Sequence, residues 1–249
     1  MEHHTTCKES TQSHNDQGFL ASGNMSMSQA SASVEVLYQD DYILAVDKPQ
    51  GILVHSDGTG AVTLTDLLLS SQDSIDATQL QALHRLDFDT SGVVLFSLNK
   101  TTQPLFDQLI AARELKKTYI AILDGVMQQP TLTNTHAIGR DRHNSHKMRA
   151  CTKGGQEAYT QLKRLSINQK TNTTLVEVLI KTGRKHQIRV HCQDLGLPIL
   201  NDPLYNTVRT NQGLMLHARS LSFMHSVSHN PVIITTPWPA RFSNYFPEV

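Results

Sequence analysis

The chain has 249 residues, 39% of them hydrophobic, and its 22 basic residues balance 22 acidic ones. That composition fits a globular protein with a core and excludes a collagen-like or low-complexity chain. No run approaches the roughly 18 apolar residues of a membrane-spanning helix.

The zero net charge hides an asymmetry. Residues 34–99 hold two basic residues against ten acids, and residues 100–219 hold eighteen against eight. A basic second half is the footprint expected for binding a phosphate backbone; solvated surfaces that average out in three dimensions are an equally good reading of charge alone. Residues 1–33 are rich in Ser, Gln, His and Asn, which predicts a disordered polar tail ahead of one domain over 34–249. The tail lacks the apolar core of a secretory signal and the arginines of a transit peptide, so the cytoplasm is the expected compartment. Cys7, Cys151 and Cys192 form no CxxC pair, which supports neither a disulfide framework nor a zinc knuckle.

In chain order, Val34 to Val46 predicts two strands joined at Asp40-Asp41, and Pro49-Gln50-Gly51 a turn before extended structure at Ile52–Val54. Thr63 caps a short helix to Leu69. A buried strand is expected over 93–98, then a helix from Thr101 to Arg113 with Leu105, Leu109 and Ala112 on one face. Thr118–Leu123 is a strand closed by Asp124-Gly125. Residues 128–155 look like an exposed basic excursion. Tyr159–Leu165 and Thr174–Lys181 are two further strands, and His186–Leu195 a helix stopped at Gly196. Strands and helices mix without βαβ regularity, so the fold class is α+β.

The chemistry concentrates in His84-Arg85-Leu86-Asp87-Phe88-Asp89-Thr90-Ser91-Gly92, a carboxylate on a turn that feeds an apolar run. Such a turn is by itself ordinary. It is accompanied by Lys48-Pro49-x-Gly51 upstream, then Lys117-x-Tyr119, then Thr182-Gly183-Arg184-Lys185-His186-Gln187-Ile188-Arg189-Val190-His191, and later Leu216-His217-Ala218. In order and spacing these blocks resemble the RluA-type RNA pseudouridine synthases, over residues 34 to about 242. The resemblance implies a mixed, largely antiparallel sheet flanked by helices and loops. It also implies isomerisation of uridine in structured RNA, rRNA or tRNA, with no metal, nucleotide or redox cofactor.

The resemblance further implies site roles. Asp87 matches the catalytic aspartate, and Arg189 the arginine that pairs with it, a contact expected to be bidentate. Tyr119 matches the tyrosine that packs on the target base and is a candidate general base. Arg85 matches the arginine that replaces the flipped nucleotide, and His84 and Leu216 are expected beside the substrate. A uracil inside a helix or tight loop must leave the stack to be reached, so an inserted side chain and an aromatic platform are physically reasonable. Phe88 departs from the polar or basic residue common after the aspartate, and Asn201-Asp202 stands where Gly-Asp is common. The tail is too short and polar for an S4-type RNA-binding domain, so the compact branch is expected, as a monomer with no obligate protein partner.

Three other readings are weaker. His186, His191 and Cys192 do not make a metal site, because positions 186 and 191 lie about 140° apart on a helix and on opposite faces of a strand. Asp87 and Asp89 as paired carboxylates of a glycosidase are too close on one loop to flank a sugar. An RNA-binding module that has lost catalysis is disfavoured by intact Asp87, Tyr119 and Arg189.

Overall fold

The first hairpin is set by Asp40. Its Oδ1 accepts hydrogen bonds from the backbone N–H groups of Tyr42 and Ile43, at 2.8 and 2.9 Å, turning β1 (Glu35–Gln39) back into β2 (Ile43–Lys48). The structure is a computed structural model, and the residues described are 34–71 and 74–248. The tail expected over 1–33 lies outside them.

β2 pairs with β4 (Ser91–Ser97), and both are buried on two faces. Leu44, Val46, Val94 and Phe96 point into one cluster, which also takes Leu64 and Leu68 of α1 (Leu64–Ser71). Ile43, Ala45, Val93 and Leu95 point into a second, closed by Phe106 and Leu109 of α2 (Gln103–Ala111). This is the period-two alternation of a strand with apolar layers on both sides. The cap of α1 is reciprocal: Asp66 N–H reaches Thr63 Oγ1, and Thr63 N–H reaches Asp66 Oδ2.

α2 differs from expectation. Phe106 and Leu109 are buried, whereas Leu105 is 43% exposed and Ala112 falls after the last helical residue. The larger ring of Phe106 selects the buried face. The segment 52–54 is also less regular than expected, with only an isolated bridge between Leu53 and Thr63.

Among the described residues, the main sheet runs β1-β2-β4-β11-β5-β10-β9-β6, with β3 (Gln81–Ala82) on β4 and β12 (Pro231–Thr235) on β11. Here β5 is Lys116–Asp124, β6 Thr131–Asn134, β9 Thr160–Asn168, β10 Thr173–Ile180 and β11 Leu216–Met224. The β4–β11 pairing is parallel and the others are antiparallel. The excursion expected over 128–155 is more ordered than its composition suggests. β6 joins the sheet edge, while β7 (Ala137–Arg140) and β8 (Met148–Cys151) form a separate two-stranded ribbon. α3 (Gln187–Asp194) packs against β8 and β9 and ends before Gly196 at φ +72°. The architecture is α+β. None of the helices is long and apolar enough to cross a membrane, among the described residues.

Candidate active site

The loop carrying Asp87 joins β3 to β4 and is held by its backbone. Lys48 Nζ, at the end of β2, is fully buried and donates to the carbonyls of Pro49 (2.9 Å), Ile52 (2.8 Å) and Phe88 (3.1 Å). Burial pushes its pKa down to about 7, against the attraction of Asp89 and Asp87. Gly51 N–H reaches the same Phe88 carbonyl at 3.0 Å. Gln50 Nε2 donates to Asp89 O (2.7 Å) and Leu214 O (2.6 Å), tying the loop to the chain entering β11. The loop then enters β4 at Gly92, where φ is +116° and a Cβ would stand 2.2 Å from the Ala218 carbonyl oxygen. Only glycine allows β4 and β11 to approach so closely at that backbone angle.

Asp87 sits 3.6 Å from Arg189 Nη1, with its side chain 19% exposed. The expected bidentate contact between them is not formed. Arg189 instead directs its fork at Asp202, with Nε 2.7 Å from Oδ2 and Nη2 2.8 Å from Oδ1. Asp202 is fully buried and also accepts the backbone N–H groups of Leu204 and Tyr205. A carboxylate already desolvated and fixed by two amides is the better partner for a planar fork than one at a cleft mouth. Arg189 therefore presents a single nitrogen to Asp87 from a rigid mount.

These groups open onto a cleft of about 950 Å³ whose lining includes Asp87, Arg189, Tyr119, Leu216, His84 and Arg85. Tyr119 lies on β5 and Leu216 begins β11; the register sets Leu216 opposite Ala121 and Tyr119 opposite Ala218, so the two are diagonal neighbours on one face. Burial and the nearby Asp87 push the Tyr119 pKa well up, so its hydroxyl is a donor rather than a ready base. His84 Nε2 accepts the Leu95 N–H at 3.2 Å. Burial and the Lys117 charge hold its pKa well below the usual histidine range, so it is neutral. Its Nδ1 is buried without a partner among the described residues, as is Thr90 Oγ1. Arg85 is exposed at the rim. Lys116, Lys117, Lys181, Arg184 and Lys185, all from the basic second half, line the same cleft.

The remaining histidines of the long motif are engaged. His191 Nδ1 pairs with Thr160 Oγ1 and Nε2 with the His136 carbonyl. His186, at φ +56° before α3, pairs through Nδ1 with Tyr205 Oη at 2.9 Å, and burial pushes its pKa down to about 4. The structure thus gathers Asp87, Tyr119, Arg189, Arg85, His84 and Leu216 around one cleft. Sequence reasoning missed Asp202 and the clamp of Lys48 and Gln50. A legible sign was the Lys48-Pro49-x-Gly51 block, noticed as a motif but not as a device.

Residues 42–194 match the model of the family described as RNA pseudouridylate synthase. The chain is 34% identical over 216 residues to "Uncharacterized RNA pseudouridine synthase YhcT" of Bacillus subtilis, covering 85% of this chain and 70% of that protein. It is 33% identical over 205 residues to the dual-specificity RNA pseudouridine synthase RluA of Vibrio cholerae, covering 79% of each. It is 32% identical over 219 residues to the tRNA pseudouridine synthase C of the same organism, covering 81% of this chain and 89% of that one. Against the ribosomal large subunit pseudouridine synthase D of Xanthomonas campestris, the chain spans 66% of the relative's length. The solved structure of human RNA pseudouridylate synthase domain containing 1 superposes with a TM-score of 0.70 at 29% identity, covering 83% of this chain and 84% of that one. The chain belongs to the RluA-type RNA pseudouridine synthases.

Proposed function

We propose that this chain isomerises uridine to pseudouridine in structured RNA, rRNA or tRNA, with Asp87 as the carboxylate that engages the nucleotide. The observation that carries this is the pairing of Asp87 with Arg189 inside a cleft lined both by cations and by Tyr119 and Leu216. Cations track the RNA backbone, and the apolar and aromatic walls accept a base taken out of its stack. Arg85 stands at the rim, where its side chain fills the gap the base leaves. Tyr119 supplies an aromatic face and a protonated hydroxyl. Arg189 keeps a fixed positive charge beside the reacting carboxylate. The uracil is detached from C1′ of the ribose, turned, and rejoined through C5; the C5 proton leaves and N1, freed from the sugar, gains one.

The relatives named above include enzymes named for the large ribosomal subunit and for tRNA, and Lys116, Lys117, Lys181, Arg184 and Lys185 line the cleft. The test is to incubate the purified protein with tRNA and rRNA transcripts lacking pseudouridine and to map modification by carbodiimide treatment and primer extension. New pseudouridine with the wild type and none with Asp87→Ala is expected. RNA binding without modification in both proteins would favour a catalytically silent binder.

A further inference from the structure

The β7–β8 ribbon is not hydrogen-bonded into the ladder of the main sheet, and a two-stranded ribbon alone is marginal in water. Its inner side chains dock in a small cluster formed by Ile138, Met148 and Ala150 with Val190 of α3 and Tyr205. Tyr205 is 5% exposed and makes contacts in two directions. Toward the ribbon, its hydroxyl accepts the Met148 N–H at 2.8 Å, and the Lys147 ammonium lies 5.8 Å from its ring centre. Toward the site, the Arg189 guanidinium lies 5.2 Å from the same ring centre, within cation–π range. Its backbone N–H holds Asp202 Oδ1 at 3.0 Å, the atom that also accepts Arg189 Nη2. Its hydroxyl also hydrogen-bonds His186 Nδ1, at 2.9 Å, at the entry to α3.

We propose that Tyr205 is a positioning residue that couples the ribbon to the catalytic carboxylate: RNA held by the ribbon fixes the Tyr205 ring, and the ring fixes the Arg189 guanidinium against Asp87. The ribbon is suited to that role, because Arg140, opposite Met148 in the register, and Arg142 in the turn that follows are both exposed, where an RNA phosphate can reach them. A ribbon displaced from α3 takes the Met148 N–H with it, and the phenol loses the contact that orients it under the guanidinium. The inference rests on the pseudouridine synthase reading.

The test is single-turnover pseudouridine formation at saturating RNA, measured beside RNA affinity, in a double-mutant cycle. Tyr205→Phe keeps the ring and removes both hydroxyl contacts. Its saturating rate is expected to fall roughly tenfold or more, while its affinity for RNA stays within about threefold. Arg140→Gln/Arg142→Gln is expected to lower both affinity and saturating rate in the wild-type background, and affinity alone when combined with Tyr205→Phe. A merely structural role would move the melting temperature and leave the saturating rate unchanged. A wild-type rate in Tyr205→Phe overturns the coupling. The ribbon variant decides the matter without Tyr205→Phe: if it loses affinity yet keeps the full saturating rate, the coupling is refuted. Active wild type with either of those results leaves the proposed function standing. No pseudouridine from the wild type would overturn the function and the coupling with it.

Discussion

Arg189 gives its planar fork to Asp202, at 2.7 and 2.8 Å, and reaches Asp87 with one remaining nitrogen at 3.6 Å. The arginine is thus held by one acid in order to be shown to another. A lysine places a similar charge but cannot occupy both oxygens of Asp202 in the same geometry. Arg189→Lys is expected to lower kcat by about 10- to 100-fold, the range for losing a charged hydrogen bond. Asp202→Asn weakens the mount and leaves a buried guanidinium with Asp87 as its only carboxylate at ion-pair distance among the described residues. It should destabilise the fold by about 3–5 kcal/mol. Turnover in steady state and urea denaturation check the two; full activity in Arg189→Lys would refute the fork.

Lys48 offers a second prediction. Its ammonium meets three carbonyls, and one of them belongs to the residue after Asp87. Lys48→Met fills the same volume but leaves buried acceptors unmet, each at about 1–3 kcal/mol. Both melting temperature and kcat should fall, since the Phe88 carbonyl keeps only the Gly51 N–H and the loop is held less tightly. A variant with lower stability but undiminished kcat under conditions where it is folded would separate the clamp from the chemistry.

Gly92→Ala should be among the most damaging small changes in the chain. The new methyl meets the Ala218 carbonyl and amide of the parallel neighbour at 2.2 and 2.6 Å, at a φ of +116°. Neither atom belongs to a flexible side chain, so the seam between β4 and β11 must open. A loss of more than about 3 kcal/mol in chemical denaturation is expected, with a fall in activity as Leu216 shifts. A denaturation midpoint near the wild type would show that the seam yields.

The buried His217 should make the fold sensitive to acid. Its Nδ1 lies 2.8 Å from Ser91 Oγ, which also accepts from Arg241. Burial, then the charges of Arg241 and Arg219, push its pKa down to about 3. The unfolded chain binds a proton near pH 6.5 that the folded chain refuses until about pH 3. Protons are therefore in excess on the unfolded side through that window, and stability falls as the pH drops through it. The same sign holds for His186, lowered to about 4. His217→Asn keeps an acceptor for Ser91 without a titrating ring. Denaturation midpoints from pH 7 to pH 4 should fall less steeply in that variant; parallel curves would refute the assignment.

How much of this was readable beforehand varies by element for physical reasons. The strand at 91–97 was legible because both its faces are apolar, and α1 because its cap is a local sequence device. β7 and β8 were not, since four-residue strands mixing Gly, Arg and Met carry no alternation. Phe106 and Leu105 compete for the same helix face, and only packing decides between them. Asp87, Tyr119 and Arg189 announced themselves through blocks of neighbouring residues. Asp202 did not, because its partner lies thirteen positions back and meets it only through the turn after Ile199. Lys48 was hidden by its chemistry: a lysine between a strand and a proline reads as surface, and nothing local says that three carbonyls surround it.

The clamp on the loop that carries Asp87 grips main chain alone at position 88. Lys48 and Gly51 both bind the Phe88 carbonyl, whereas the Phe88 side chain is 46% exposed. A carbonyl is the same in every residue, so mutation at this site is invisible to the scaffold and visible to whatever lies outside. Selection can thus try one side chain after another next to Asp87 without re-solving the geometry of its carboxylate. The exposed phenylalanine at position 88 becomes understandable in those terms, as a side chain free to change on an otherwise fixed chassis. An engineer seeking to retarget the enzyme would begin at the same position.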